Sequence, residues 1–586
     1  MRRIFLFLTS YFLLHTAAKA QYPRFIFRNP LGIPMHLIAN FGEVRSDHYH
    51  MGLDLRTQQR ENLPVFAAAE GYVSRVMVDA DGYGKSIYIT HPNGYTTLYA
   101  HLNKFFPALQ DFVERKQYHD ESWKQDIIFG SSQFRVAKGQ FIAYSGATGS
   151  VEGPHLHFEV RDTKTGDNIN PLFLGFPVKD NVKPLIYSLY MYDRNYSTYA
   201  VDPVLVPIKN IKGIYTTKDT VVQTGFNKFS FGISAEDIAN GTNFRFGIYA
   251  AEVWMDSVQQ FGFKLQEFDR EASKYVNASI DYKKWITSKT RLQHLSRLPG
   301  NRLFVKDGEN DGVINLQDTL IHHVSIVVTD VHANEAVLNF KLQWKPELQQ
   351  ERFFTQETVK FVPGKENSYE TENFRITLPA NALYDTVNFR LSQVSGGANG
   401  LPVFQVHQPS VPLHEPYTVE ITPTEEQKDS SKIIMRLNSN RIQIVKPEYK
   451  DGKYIGSFDR FGVLLMMEDT IPPNIGKNWE DSAVFYKGGA LRFTVKDGIS
   501  TIENVRAELD SNWLMFEQKG STYSYKFDEY CSIGVHNLKI IAKDLAGNEI
   551  ARTFTFELKE KPPVKKKVIK KSTKKKKNGN TSKRRR

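Results

Sequence analysis

Five histidine and aspartate side chains stand in three short segments at spacings that suit metal-dependent hydrolysis. The segments are His50-Met-Gly-Leu-Asp54, Leu98-Tyr-Ala-His101 and Gly153-Pro-His155-Leu-His157-Phe-Glu159. Side chains two apart in a β-strand point to the same face, so His155 and His157 would project together, away from the core. The pattern predicts neighbouring imidazoles on a solvent-facing surface, where they can meet other metal-ligating groups.

These side chains are of the types found in catalytic zinc sites. Such sites usually take three protein ligands from His and carboxylate and keep a fourth position for water. His50, Asp54 and His157 would supply that set, although spacing leaves open which of His155 and His157 binds metal. The pKa of zinc-bound water falls toward about 7, so that water becomes the nucleophile while the metal polarises a carbonyl. His101 and His155 would accept its proton or stabilise the oxyanion.

The region that must position these residues, 21–180, is typical of an antiparallel β scaffold. Short alternating runs such as 86–90 and 96–100 predict strands, and Asp81-Gly82 and Asn93-Gly94 predict tight turns between them. We therefore expect the chemistry-bearing side chains to lie on strands or at strand ends.

One segment, residues 105–133, departs from the β pattern. It is richer in helix formers than its surroundings and directly follows His101, so we expect an insertion projecting from the scaffold. Two interpretations stay open: a lid over the site that selects the substrate peptide, or a surface helix packed elsewhere.

The motifs of the first domain, taken in order, resemble the lysostaphin-like (LytM-type) zinc endopeptidases, which cut peptide cross-links in bacterial peptidoglycan. They cover about residues 40–172. The matching runs are His50-Met-Gly-Leu-Asp54-Leu, Pro64-Val-Phe-Ala67, Ala69-Glu-Gly71-Tyr-Val73, Gly82-Tyr-Gly84, Ile89-Thr-His91-Pro-Asn-Gly94, Thr97-Leu-Tyr-Ala-His101-Leu, Val136-Ala-Lys-Gly139-Gln-Phe-Ile142, Ser145-Gly-Ala-Thr-Gly149 and Gly153-Pro-His155-Leu-His157-Phe-Glu-Val-Arg161.

This resemblance implies a compact, duplicated-hybrid-motif-like antiparallel β domain with a zinc ion in a groove. It makes His50, Asp54 and His157 the zinc ligands, and His101 and His155 the two catalytic histidines. The substrate implied is a peptidoglycan stem peptide or cross-link. The loop 150–153 reads Ser-Val-Glu-Gly where the family usually has a Ser-Thr-Gly run, a change that removes no ligand.

Two rival functions remain. Many relatives act as envelope scaffolds or amidase activators that bind wall peptides without cutting them, but these usually lack the HxxxD and HxH residues that this chain retains. The other rival is a peptidase that cuts protein rather than cell wall.

The basic net charge, +12, is concentrated at the two ends of the chain. Residues 559–586 carry 15 Lys and Arg against one Glu, so the body between the ends is mildly acidic. That distribution argues against a specific nucleic-acid binder. The tail is too poor in apolar residues to fold and predicts disorder; it would bind anionic envelope polymers or act only as a solubilising extension.

The N-terminus predicts export. Arg2-Arg3, an apolar run over 4–14 and Ala18-Lys19-Ala20 have the layout of a signal peptide cleaved after residue 20. No later apolar run approaches 20 residues, so we expect no transmembrane segment and a final location in the periplasm, the cell envelope or the medium. The single cysteine, Cys531, excludes an intramolecular disulfide and any multi-cysteine metal site.

The remainder of the chain predicts β-sandwich domains that resemble the immunoglobulin-like modules of bacterial surface proteins. An internal echo marks two of them: the run that begins at Asp180 resembles the one at Asp469, and the run around Asp330 resembles the one around Asp544. We expect immunoglobulin-like domains over 181–345 and 469–558, with a further β domain over 346–468 between them.

Overall fold

The computed structural model describes residues 22–303, 311–349, 359–394, 403–423 and 431–562, which form an N-terminal domain and three β modules. The prediction of a mainly β protein is confirmed. The expected leader, 1–20, and residues 563–586 of the expected tail lie outside the described residues.

The N-terminal domain is built on one sheet, in the order β1-β2-β10-β6-β5-β4-β7, whose neighbouring strands are antiparallel. The predicted strands at 86–90 and 96–100 fall within β5 and β6. The elements are β1 Leu37–Ala39, β2 Leu53–Arg56, β3 Pro64–Phe66, β4 Gly71–Val78, β5 Lys85–Thr90, β6 Tyr95–Phe105, α1 Pro107–His119, β7 Gln125–Ile128, β8 Arg135–Val136, β9 Phe141–Ser145, β10 His155–Asp162, β11 Asn168–Ile169 and a 3-10 turn at Pro171–Leu174.

The expected insertion at 105–133 contains the helix α1 and the short strand β7. Helix α1 begins at Pro107, whose fixed φ suits the first helical position, and it buries Leu109 and Val113 in the domain core. The chain then returns as β7, which pairs with β4 and extends the edge of the sheet. The segment is therefore integrated into the domain along most of its length.

The second unit of the chain is a two-layer β module with three short helices. One layer has the order β13-β12-β17-β21 with β22 beside β17, and the other has the order β14-β15-β24-β23-β18-β19 with β16 beside β24. The elements are β12 Leu185–Asp193, β13 Val204–Val206, β14 Ile208–Ile211, β15 Ile214–Thr217, β16 Val222–Thr224, β17 Lys228–Glu236, β18 Ala250–Met255, β19 Val258–Lys264, β20 Glu267–Phe268, α2 Arg270–Ser273, α3 Val276–Ser279, α4 Tyr282–Ser288, β21 Leu292–His294, β22 Ile314–Asn315, β23 Ile321–Thr329, β24 Glu335–Trp344 and a 3-10 turn at Pro346–Leu348.

This first module is fused to the N-terminal domain. Their buried apolar side chains form one continuous cluster, and β20 pairs with β11 across the boundary. The Asn40 side chain donates to the Gly247 carbonyl at 2.8 Å and accepts from the Gly247 N–H at 3.0 Å. The two units therefore share a core and a sheet edge.

Two further modules follow, each with its own apolar cluster. The middle module consists of β25 Val359–Phe361, β26 Asn367–Glu370, β27 Phe374–Leu378, β28 Val387–Phe389, β29 Leu391–Val394, β30 Val403–Val406, β31 Pro412–Ile421, β32 Ile433–Asn438, β33 Gln443–Val445, β34 Glu448–Lys450, β35 Lys453–Arg460 and β36 Gly462–Glu468. The last module consists of β37 Asn474–Lys477, β38 Ala483–Tyr486, β39 Ala490–Lys496, β40 Ile502–Leu509, β41 Asn512–Trp513, β42 Glu517–Lys519, β43 Thr522–Lys526, β44 Gly534–Asp544 and β45 Glu549–Lys559. Buried residues alternate with more exposed ones in the second half of β45 and through most of β24 in the first module. This alternation is expected for sheets packed on one face.

The last module returns to touch the N-terminal domain. Tyr118, near the end of α1, stacks on Tyr530 with ring centroids 3.7 Å apart and meets Trp513 edge-on at 5.3 Å. Arg506 Nη1 donates to Glu121 Oε2 at 2.6 Å. The distal end of the inserted segment thus serves as a contact surface for the last module.

Candidate functional site

Three candidate metal ligands converge where β2 meets β10. Antiparallel pairing places His157 directly opposite Asp54, and the loop before β2 brings His50 to the same point. His50 Nε2 lies 3.1 Å from Asp54 Oδ1 and 3.0 Å from His157 Nδ1, and His157 Nδ1 lies 2.9 Å from Asp54 Oδ1. All three residues are buried. Three donor atoms from the predicted ligand set therefore face one point.

The opposite ring nitrogen of each ligand histidine is held by an acceptor. His50 Nδ1 donates to the Asn40 carbonyl at 2.7 Å, and His157 Nε2 donates to Glu159 Oε1 at 2.8 Å. Because those nitrogens carry the ring hydrogens, Nε2 of His50 and Nδ1 of His157 are left as lone-pair donors. This arrangement fixes the tautomers and orients both rings toward Asp54.

Glu159 is the centre of a buried network behind His157. It is fully buried, accepts from Tyr83 Oη at 2.5 Å and from Asn168 Nδ2 at 2.6 Å, and is paired with Arg161 at 2.6 Å. Burial opposes ionisation, but the charge of Arg161 and the hydrogen bond from His157 hold the pKa of Glu159 well below its usual range. The carboxylate therefore stays charged and keeps the His157 ring in place.

Electrostatics keep Asp54 ionised as well. Burial raises its pKa, but the charges of His50 and His157 and the hydrogen bonds from them outweigh that effect and hold the pKa well below its usual range. For His157, burial lowers the pKa while hydrogen bonds to Asp54 and Glu159 raise it, with a net result of about 9, so without a metal the ring also holds a proton on Nδ1. A metal bound at Nδ1 would displace that proton and replace it as the positive partner of Asp54. Arg45 Nη2 approaches its second carboxylate oxygen at 3.1 Å.

The two predicted catalytic histidines lie beside the donor set. The ring centroid of His101 is 4.8 Å from that of His155 and 5.8 Å from that of His157, and His155 Nε2 is 3.6 Å from Asp54 Oδ1. His101 Nδ1 donates to the Thr148 carbonyl and His155 Nδ1 donates to the Gly153 carbonyl, both at 2.9 Å. In a neutral ring Nε2 is then a proton acceptor.

Burial keeps these two rings neutral. It lowers the pKa of His101 to about 3, with the neighbouring His157 and His155 adding to the effect, and it lowers the pKa of His155. His101 also has a left-handed backbone, with φ of 59°. A non-glycine residue in that conformation is strained, and such strain is concentrated at functional sites.

The donor set fits zinc. Three N and O donors with a second sphere of hydrogen bonds are the usual equipment of a catalytic zinc site. A tetrahedral ion with bonds of about 2.0–2.1 Å separates its ligand atoms by about 3.3 Å, close to the 2.9–3.1 Å found here. All five predicted site residues are brought together.

Sequence reasoning missed the residues that support the site. Glu159 and Arg161 follow His157 at two-residue steps on the same strand, so period-two alternation was a usable signal for both. Asn40, Tyr83 and Asn168 carried no such signal, because each reaches its partner through the fold.

The chain matches two family descriptions. Residues 48–118 and 129–171 match "Peptidase family M23", and residues 358–469 match "Zu5-like domain". The interval left unmatched inside the peptidase region, 119–128, is shorter than the expected insertion at 105–133, so the family pattern includes most of α1.

Curated relatives align with the N-terminal region. "DD-carboxypeptidase/endopeptidase Mpg" of Neisseria meningitidis is 31% identical over 152 residues, 26% of this chain and 27% of the relative. "Peptidoglycan DD-endopeptidase ShyA" of Vibrio cholerae is 32% identical over 120 residues, 20% of this chain and 22% of the relative. The chain thus spans about a quarter of the length of the curated relatives it matches.

Solved structures are similar over the same region. The catalytic domain of lysostaphin from Staphylococcus simulans is 22% identical and covers 23% of this chain and 86% of that chain, with a TM-score of 0.16.

Among the described residues, no helix is both long enough and apolar enough to cross a bilayer.

Proposed function

The N-terminal domain of this chain belongs to peptidase family M23, and from that premise we propose that the protein is an exported, zinc-dependent endopeptidase that hydrolyses peptide cross-links of peptidoglycan. One observation carries the proposal: His50 Nε2, Asp54 Oδ1 and His157 Nδ1 lie 2.9–3.1 Å from one another, with the histidine tautomers that metal binding needs. Bound zinc would supply an acidified water near neutral pH and a positive charge for the scissile carbonyl.

The chain's own residues divide the remaining work. His50, Asp54 and His157 hold the metal. Neutral His101 and His155 present Nε2 as proton acceptors, because their Nδ1 hydrogens are committed to backbone carbonyls. One of the two would accept the water's proton at Nε2; the imidazolium so formed would donate that N–H to the negatively charged former carbonyl oxygen and then give the proton to the leaving amine. Each such role contributes about 10² or more in rate.

The relatives narrow the substrate. Two of them bear names that describe D,D-endopeptidases, one of peptidoglycan. We therefore propose a D,D-type peptide bond of the cross-link as the bond cut. A location outside the cytoplasm, reached through the leader at 1–20, follows from that substrate. The basic tail is assigned no partner.

The rival function is a scaffold that binds wall peptides without cutting them. The intact donor set and the two neutral histidines favour catalysis, because a binding module needs neither. A peptidase that cuts protein would have the same site, so only the identity of the substrate distinguishes it from a peptidoglycan endopeptidase.

The test is mass spectrometry of the products released from purified sacculi by the mature chain, with zinc and after chelation. We expect zinc-dependent release of peptides cut at one D,D bond, abolished in H50A and strongly reduced in H155A, which should still bind zinc. Absence of products from a zinc-loaded chain that binds sacculi would establish the scaffold instead. Cleavage of a denatured protein but not of sacculi would reassign the substrate.

A further inference from the structure

Three acidic side chains meet at the start of the last module. Asp469, Asp497 and Asp544 each offer one carboxylate oxygen, and these atoms lie within 4.8 Å of one another. Asp469 and Asp544 are fully buried and Asp497 is half-buried. Among the described residues, no Lys, Arg or His forms an ion pair with any of the three. Carboxylates held this close repel one another unless a cation lies between them.

One oxygen of this cluster has no hydrogen-bond partner in the part of the chain that the structure describes. Asp469 Oδ1 accepts from the Ile471 N–H at 3.1 Å, but Asp469 Oδ2 is buried and accepts from none of the described residues. Asp497 is similarly one-sided, because the N–H groups of Ile499 and Ser500 both donate to its Oδ1. A buried carboxylate oxygen without a donor costs folding free energy, so its retention points to a ligand.

The first module has acidic residues at the corresponding positions. Asp237 directly follows β17, as Asp497 directly follows β39. Asp180 and Asp330 correspond to Asp469 and Asp544 in the internal echo of the sequence. Burial, with the charges of Asp330 and Asp180 adding to the effect, raises the pKa of Asp237 to about 7.

The hydrogen bonds that orient the acids are repeated as well. Asn548 donates its N–H to Asp544 Oδ1 at 2.8 Å and its Nδ2 to Asp544 Oδ2 at 2.9 Å. Asn334 makes the same two bonds to Asp330, at 2.8 and 2.7 Å. Each asparagine also donates to the backbone carbonyl of the first acid, Asp469 or Asp180. The same asparagine–aspartate hydrogen bonds therefore occur in both modules.

We propose that the acidic group of the last module, Asp469, Asp497 and Asp544, binds a calcium ion. Ca²⁺ takes oxygen ligands in flexible geometry, with carboxylates prominent among them, whereas zinc prefers nitrogen and sulfur. In the first module the third member of the corresponding group is His332, whose Nδ1 lies 4.0 Å from Asp180 Oδ2 and whose Nε2 lies 3.1 Å from the Val178 carbonyl oxygen, so the proposal covers the last module only.

The position of the site gives the ion a structural role. The Asp469 N–H donates to the carbonyl of Lys432 in the middle module, and the Asn548 side chain of the last module donates to the Asp469 carbonyl. The ion would therefore stiffen the junction between the middle and last modules. The proposal is independent of the peptidase activity.

The test is calorimetric titration of CaCl₂ into the full chain after treatment with EGTA, up to about 10 mM, which spans the Kd range of extracellular calcium modules, about 10⁻⁴–10⁻³ M. We expect one ion per chain and none in D497N. D481N, which removes an exposed carboxylate of the last module, is the matched control and should keep the ion.

A second measurement separates a lost site from a damaged fold. Calcium should raise the unfolding temperature of the wild type, and D497N should lose that increase while unfolding normally in EGTA, since an amide oxygen still accepts from Ile499 and Ser500. No calcium binding by the wild type, or calcium binding retained in D497N, would overturn the proposal.

Discussion

Glu159 positions the candidate metal ligand His157 but is not itself one of the three candidate ligands. Its carboxylate fixes the His157 tautomer, and Tyr83, Asn168 and Arg161 hold the carboxylate. We predict that E159Q weakens zinc affinity about 10–100-fold, the usual effect of losing an outer-sphere carboxylate, and that excess zinc restores hydrolysis. Competition against a chromogenic chelator measures the affinity.

The control for this change is E152Q. Glu152 is an exposed carboxylate a few residues before β10, so its loss alters the local charge without altering the His157 ring. Equal zinc affinity in E159Q and the wild type would show that the network is dispensable.

His407 in the middle module gives stability a defined pH dependence. Burial lowers its pKa to about 4, with Arg390 adding to the effect, and its Nδ1 has no hydrogen-bond partner. Because the unfolded chain takes up this proton near pH 6.5, the module keeps its full stability above pH 6.5. It loses about 3 kcal/mol as the pH falls to about 4. H407N should flatten that decline; asparagine also tolerates the positive φ of 49° found here.

Calorimetric unfolding at pH 7 and pH 4.5 checks this prediction. H407N should be less stable than the wild type at pH 7, because the ring packs on Phe461, yet lose less stability on acidification. H119N, which alters an exposed histidine of α1, is the control. A decline of the same size in H407N and the wild type would rule out this assignment.

At the residue scale, spacing singled out candidate residues, the family resemblance assigned their roles, and neither indicated the residues that support them. His50 and Asp54 are four apart and His155 and His157 two apart, but that spacing left open which of the last two binds metal. Tyr83 meets Glu159 across 76 positions of sequence, and only the sheet creates that contact.

At the scale of the elements, the turn before β5 packs closely against the loop after β9, which holds His101 through the Thr148 carbonyl. Gly84 has φ of +62°, and a Cβ added there would lie 2.4 Å from the Thr148 carbonyl carbon and Oγ1. G84A should therefore displace Thr148, whose carbonyl holds His101 Nδ1. We predict a fall of about 10² in the rate of cross-link hydrolysis at unchanged zinc affinity.

G82A is the matched control for G84A. Gly82 has a similar positive φ, +55°, but a Cβ there meets only open space, so this substitution adds backbone strain without the collision. If both variants lose activity equally, strain in the turn and not displacement of Thr148 is responsible.

Element prediction succeeded where the pattern was regular. The alternating runs at 86–90 and 96–100 fall within β5 and β6. The region 105–133 was harder, because its helix-forming composition extends past His119 while pairing with β4 draws 125–128 into the sheet. Tertiary pairing overrode local propensity there.

At the scale of the whole molecule, the first module helps to build the metal site. Asn40 is locked to Gly247 by two hydrogen bonds, and its own carbonyl fixes His50. We predict that N40A lowers zinc affinity by about tenfold, with hydrolysis restored by excess zinc, because the anchor from the first module is lost. The chelator competition used for E159Q applies here.

N240A provides the comparison. Asn240 is an asparagine of the first module that pairs with Asn181 on the surface, away from the donor set. Its loss should leave zinc affinity unchanged. An unaltered affinity in N40A would mean that the N-terminal domain builds its site alone.

The sequence indicated separate domains in a row, but it held no sign that the first and last would touch. Tyr118, Trp513 and Tyr530 belong to no periodic pattern, and each alone resembles an ordinary surface aromatic. Likewise, the shared core of the N-terminal domain and the first module is invisible in a sequence whose composition changes near residue 180.

The contact between Glu121 and Arg506 joins residues 385 positions apart. Chains are synthesised from the N-terminus at about 5–20 residues per second, and domains fold as they emerge. Tyr118 is therefore made about 20–80 s before the surface that covers it. Once residue 157 has also been made, a new copy has every residue of the donor set while Tyr118 is still uncovered, so the youngest molecules differ in surface from the finished ones although their sequence is the same.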